Sequence, residues 1–122
     1  MALTVSASLS VVDVEINLSQ AISLTGLSQS GRGVYQNVQT ISNVPNFTTI
    51  NVGSIGVPGW ALIRNLDAVN YCTFGTFVGG SLFPCFKIKA GHWAGPIYLS
   101  TKLLGALANT APVQLLIIIC EE

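Results

Sequence analysis

Leu3, Val5, Ala7, Leu9 and Val11 share one parity of the N-terminal segment, and Thr4, Ser6, Ser8 and Ser10 take the other. That two-residue period is the signature of a strand with one buried face. From Val12 the phase slips by one: Val12, Val14, Ile16 and Leu18 become the apolar set, opposite Asp13, Glu15, Asn17 and Ser19. A slip inside continuous strand chemistry turns the strand inside out unless a bulge or bend absorbs it, so a break in pairing is expected between Val11 and Val12. Further strands are predicted at 21–27, 34–42, 47–52, 60–66, 71–78, 83–89, 96–100, 102–107 and 113–120. They are separated by Gly, Pro and Asn punctuation such as Gln29-Ser30-Gly31-Arg32-Gly33, Val57-Pro58-Gly59 and Gly79-Gly80. Residues 101–108 could instead form one turn of helix, although Gly105 sits in the middle of it.

Short strands at this spacing predict an all-β fold, an antiparallel β-sandwich or a jelly-roll-like barrel of about eight or nine strands. The 122 residues make a single domain, 1–122, with residues 1–11 available as an N-terminal arm. In the arm reading, residues 2–9 pair with or cross onto a neighbouring subunit; in its rival, a bulge keeps the whole segment in one sheet. The expected core is Leu62, Ile63, Leu66, Phe74, Phe86, Ile88, Ile97, Leu99, Leu115, Ile117 and Ile119. The last strand carries a particular demand. Val113, Leu115, Ile117 and Ile119 form one face, while Leu116, Ile118 and Cys120 make the other apolar as well. Such a strand belongs between two layers or against another subunit, and as a bare edge it would template aggregation. Glu121 and Glu122 end the run with charge.

Composition sharpens this picture. Five Lys+Arg balance five Asp+Glu, only 8% of residues are charged and half are hydrophobic, with a mean hydropathy of +0.61. Ordinary domains carry about 25% charged residues. There is no basic footprint for nucleic acid, and the longest apolar run, Leu115 to Cys120, is far short of the roughly 20 residues of a membrane-spanning helix. The N-terminal residues lack the cationic start and apolar stretch of a secretory signal. A neutral chain rich in Ser, Thr and Asn reads as a soluble subunit that buries surface against copies of itself or a larger assembly.

Candidate chemistry is sparse. Cys72, Cys85 and Cys120 form no C-x-x-C pair, and His92 is the single histidine, so no metal set is expected. The cysteines read as reduced and packed as small hydrophobes, although a disulfide between two of them stays open. His92 lies in Ala-Gly-His-Trp-Ala-Gly, a turn between strands, without a Gly-x-Ser-x-Gly elbow, and nothing orients a Cys85–His92 pair. Asp13 and Glu15 point the same way on one strand and read as a solvated face rather than paired catalytic acids. No catalytic, cofactor-binding or metal-binding residue is expected, and the chain is read as a non-enzyme. The candidate interface residues are Leu3, Val5, Ala7 and Leu9 on the N-terminal strand, with Trp60 and Trp93.

The stretch Val57-Pro58-Gly59-Trp60-Ala61-Leu62-Ile63-Arg64-Asn65-Leu66-Asp67-Ala68-Val69-Asn70-Tyr71-Cys72-Thr73-Phe74-Gly75 resembles a pattern in small structural proteins of tailed bacteriophages. A Pro-Gly strand carrying Arg-Asn-Leu-Asp leads through Asn-Tyr into a second strand. Lys89-Ala90-Gly91, residues 108–115 (Ala-Asn-Thr-Ala-Pro-Val-Gln-Leu) and the acid-capped apolar end are similar to it too, while Gly91-His92-Trp93-Ala94-Gly95-Pro96 and residues 1–56 match it more loosely. The physics of the turn fits, since Asn65, Asp67 and Asn70 are three Asx side chains able to cap their own backbone. The resemblance implies a virion protein, foremost a capsid decoration (cement) protein that binds the outer head shell at junctions between capsid subunits and stiffens it. Its partners would be copies of itself, with a homotrimer on local threefold axes favoured, and the major capsid protein or other virion proteins. It would be made in the host cytoplasm and reside on the virion, without cofactor, nucleic acid or membrane. A tail, tail-fibre or baseplate subunit is the alternative within the virion. From a different class, a carbohydrate-binding module would expose its aromatics as a strip.

Overall fold

The computed structural model describes residues 3–13, 18–29 and 34–122, and for residues 1–33 only the strand backbone. Ten strands follow in chain order: β1 (Leu3–Asp13), β2 (Leu18–Gln29), β3 (Val34–Ile41), β4 (Thr48–Thr49), β5 (Pro58–Asn65), β6 (Cys72–Val78), β7 (Ser81–Ile88), β8 (Trp93–Tyr98), β9 (Leu104–Ala108) and β10 (Val113–Glu121). No helix forms among the described residues. The helical alternative at 101–108 fails because Leu104, Ala106 and Ala108 alternate into the core, which is strand period. Two four-stranded antiparallel sheets, ordered β3-β10-β5-β8 and β4-β9-β6-β7, enclose one core, while among the described residues β1 and β2 pair only with each other. The fold is a sandwich, not a closed barrel.

β10 is the centre of the first sheet. It pairs with β3 from Val113↔Ile41 to Cys120↔Val34 and with β5 from Leu115↔Asn65 onward. Its face of Val113, Leu115, Ile117 and Ile119 is at most 1% exposed and meets Phe74, Cys72, Ala106 and Ile88 of the second sheet. Between β6 and β7, Gly79 and Gly80 both adopt positive φ (59° and 81°) in a two-residue hairpin loop. That turn matches strand twist and requires residues without a Cβ.

Three expectations need correction. The break in pairing does not fall between Val11 and Val12, whose partners Gln20 and Ser19 are consecutive. The shift lies between Val5 and Ala7, where β2 carries an extra residue. The reason is legible in β2 itself: Ile22 and Leu24 share a parity that Leu27 does not. A bulge at Thr25-Gly26 puts Val5 opposite Leu27 and Ala7 opposite Leu24. Second, Leu66 is 43% exposed; it is the first residue beyond β5 and is held there by its N–H to the Gln114 carbonyl. Third, Leu62 is only half-buried, since alternation with inward Ala61 and Ile63 sends it to the outer face. Phe86 and Ile97 pack against the core only in part, and the other seven expected core residues are buried. Val14 and Ile16, half of the apolar set expected after that break, lie outside the described residues.

The turn after β5 is built on a buried amide. Asn65 is 0% exposed. Its Nδ2 donates to the carbonyls of Asn70 (2.8 Å) and Ile88 (3.1 Å), and its Oδ1 accepts from the Asp67 N–H. One side chain therefore ties the end of β5 in one sheet to the end of β7 in the other. Asp67 Oδ2 caps the N–H groups of Val69 and Asn70, and Thr110 Oγ1 donates to Asn70 Oδ1. The hydrogen bonds from Asn70 and then Val69 hold the Asp67 carboxyl below its ordinary 3.8.

Chemical denaturation of Ile117→Ala should show a loss of about 2–5 kcal/mol, whereas Leu66→Ala should cost less than about 1 kcal/mol. Asn65→Ala, which strands the buried Ile88 carbonyl and the partly buried Asn70 carbonyl, should cost about 1–3 kcal/mol. A depressed carboxylate contributes stability above its unfolded pKa and loses it as pH falls through the folded one. An acid titration of stability should therefore show a decline below 3.8 that Asp67→Ala removes.

Candidate functional site

The outer face of the β3-β10-β5-β8 sheet is apolar where a solvated sheet face would alternate to polar. Register arranges it in cross-strand rungs. Val38, Leu116, Arg64 and Trp93 form one; Gln36, Ile118 and Leu62 form the next; Val34–Cys120 and Trp60–Tyr98 are the last pairs. Val34, Val38, Trp93 and Tyr98 are 47–52% exposed, and Leu62, Leu116, Ile118 and Trp60 are half-buried. Arg64 is the one charged residue in these rungs, and its guanidinium carbon lies 5.3 Å from the Trp93 ring centroid. The second sheet differs. Its outward face is mixed: Lys87 and Thr73 share it with Leu107, Phe77 and Leu82, Phe47 and Leu82 stand over Gly105, and none of these apolar residues is among the exposed ones.

β8 reaches this arrangement through a bulge. Trp93 and Tyr98 differ in parity, yet both lie on the outer face because β8 carries an extra residue opposite the step from Ala61 to Ile63. Gly95 sits there at φ 111°, and a Cβ on it would stand 2.5 Å from the Ala61 carbonyl oxygen. Trp60 meets Tyr98 edge-on, with ring centroids 5.0 Å apart and planes at 85°. Partial desolvation, then the hydrogen bond and charge of Glu122, raise the Tyr98 hydroxyl above its ordinary 10.0.

Of the residues singled out in the sequence, Trp60 and Trp93 thus share one face. The side chains of Leu3, Val5, Ala7 and Leu9 lie outside the described residues; their backbone positions fall on β1, opposite Gln29, Leu27, Leu24 and Ile22. Sequence reading missed Val34, Val38 and Tyr98 and placed Leu62 in the core. Parity alone marks Val34 and Val38 as sharing a face, but only the pairing with Leu116 and Cys120 tells which face that is.

Elsewhere the described residues offer little chemistry. A cleft of about 340 Å³ opens between β7 and β8, lined mainly by Phe74, Phe86, Ile97, Leu99 and Leu104. No group of three or more His, Cys, Asp or Glu side chains suited to a metal ion occurs among the described residues. His92 is exposed in its turn, and its carbonyl accepts the Asn65 N–H. All three cysteines are free, with Cys72 and Cys120 buried and Cys85 exposed. Burial pushes the Cys72 thiol up to about 12 and raises that of Cys120. Among the described residues no helix is long and apolar enough to cross a membrane.

A thiol-reactive reagent at neutral pH should therefore modify Cys85 alone in the native protein, and all three cysteines in denaturant. Mass mapping of the labelled peptides checks this.

No family model, curated protein or solved structure matches this chain.

Proposed function

We propose that this chain is a structural assembly subunit, a virion protein that lays the outer face of the β3-β10-β5-β8 sheet against the surface of a phage head as a decoration (cement) protein. The observation that carries the reading is that face: four large apolar residues about half exposed, four more half-buried behind them, and one charge already engaged over Trp93. Contiguous apolar surface of this kind on a monomer marks an interaction site. Aromatic and Arg side chains, which this face carries on β5 and β8, are the residue types that dominate binding energy at protein interfaces. Zero net charge supports the same reading, since it opposes neither self-association nor docking on a crowded shell. The resemblance of residues 57–75 to tailed-phage structural proteins supplies the virion.

A tail or fibre subunit would use the same surface at a different address. A carbohydrate-binding module would stack a flat sugar on coplanar rings, and here Trp60 stands edge-on to Tyr98 while Arg64 lies over Trp93. The geometry favours a protein partner.

Protein composition of purified particles tests the reading, with tail-less heads compared against whole virions. The chain should be present in the heads. Its presence only in tails moves it to the alternative address, and its absence from both overturns the virion assignment. Trp93→Ala should leave folding stability within about 1 kcal/mol, the side chain being half exposed. The same variant should weaken binding to heads about tenfold or more. Lost glycan binding with head binding intact would instead favour the carbohydrate module.

A further inference from the structure

The sandwich has two open sides, and their edge strands are built differently. On one side β7 carries Pro84, which offers no N–H, and bulges at Cys85 opposite the step from Phe74 to Gly75. A Cβ on Gly75 would collide with the Phe83 carbonyl oxygen there. On the same side β8 carries Pro96 beside its own bulge. Proline and bulges are the devices by which edge strands refuse a further strand. On the other side β4 has only two residues.

β3 has none of these protections. It pairs with β10 over eight consecutive positions without a shift in register, and among the described residues no strand lies beyond it. Its sequence, Val-Tyr-Gln-Asn-Val-Gln-Thr-Ile, contains no Pro, no Gly and no charge. Its outward-facing residues Val34, Gln36, Val38 and Thr40 are all exposed. A long, regular, uncharged edge is a template for strand addition.

We propose that β3 is a self-association edge, onto which β3 of a second copy adds antiparallel about a two-fold axis to make one continuous eight-stranded sheet. The strand's own chemistry selects a second copy as occupant. Two-fold pairing sets the edge against itself, so a charge at the axis would meet its like, and β3 carries no charge at any position. The lengths match by identity. Registers that keep outer faces together and are centred within Tyr35–Gln39 place Val34 or Val38 of one copy directly or diagonally beside a valine of the other, continuing the apolar face of Leu116 and Ile118 across the axis. Two identical edges are satisfied by two copies, so this contact differs from any threefold one, and it leaves the outer face free for the docking proposed above. It stands whether or not that docking is to a virion.

The test uses the full-length chain. Sedimentation at micromolar concentrations should show a reversible dimer, and native hydrogen exchange should show alternate amides of Val34–Ile41 gaining protection as concentration rises. Gln36→Lys with Thr40→Lys puts like charges across the axis, directly or diagonally in each such register, and should weaken the dimer about tenfold or more. Gln36→Glu with Thr40→Glu should do the same. Mixing the Lys and Glu variants should restore association, which also shows that both are folded. Ser81→Lys on the exposed β7 edge should change nothing. A monomer at every concentration, or a dimer indifferent to the Lys pair, overturns the proposal. So does protection of β3 that is independent of concentration, the sign that the β1–β2 hairpin of the same chain covers the edge.

Discussion

The constraint behind this fold is a strand that cannot tolerate water on any side. From Leu115 to Cys120 β10 has no polar side chain, so it needs a ladder on both edges and apolar cover on both faces. The sandwich meets three of these four demands. β3 and β5 occupy its edges, and the second sheet buries the face of Leu115, Ile117 and Ile119. On the fourth side Leu116 and Ile118 stand half-buried, and the described side chains beside them belong to the same sheet: Val38, Leu62, Trp60 and the aromatics of β8. Those neighbours are themselves apolar, so they enlarge the uncovered surface instead of ending it. The surface that carries the functional reading is thus the remainder of a folding problem solved on three sides.

Holding the two sheets in register falls to a much smaller group. Asn65 lies within the apolar interior but is fully engaged, with one amide reaching both the turn that follows it and the end of β7. Buried polar groups are costly unless satisfied, and satisfied ones fix a single arrangement. Asp67 and Thr110 extend the network over Asn70 and into the β9–β10 loop. The sheets are joined by apolar area, and this end of the sandwich is positioned by hydrogen bonds.

The edges show a similar division of labour. Pro84, Pro96 and the two bulges give up ladder bonds on β7 and β8, and the sandwich is left with a cleft there instead of a pairing surface. β3 gives up nothing. A chain with so few charges cannot protect every edge with lysine, and the protections it does carry are concentrated on one side.

The sequence by itself determined the strand content, the Asx-capped turn at Asn65–Asn70 and the apolar character of β10 on both faces. Each of these is local: a period of two, side chains that reach their own backbone, and a run with no polar residue. Strand neighbours were beyond it. Parity says that Leu62 and Ile63 point apart but not which one meets the second sheet, and so Leu62 was placed inside. Parity likewise failed to place Trp93 and Tyr98 together, because the bulge at Gly95-Pro96 restores a shared face only once β8 lies beside Ala61. The N-terminal hairpin holds two phase changes, at Val12 and between Leu24 and Leu27, and only pairing with β1 places the bulge at the second. Only the tertiary structure decided which apolar face became the core and which stayed outside, because burial belongs to pairs of surfaces and a single strand carries only half of each pair.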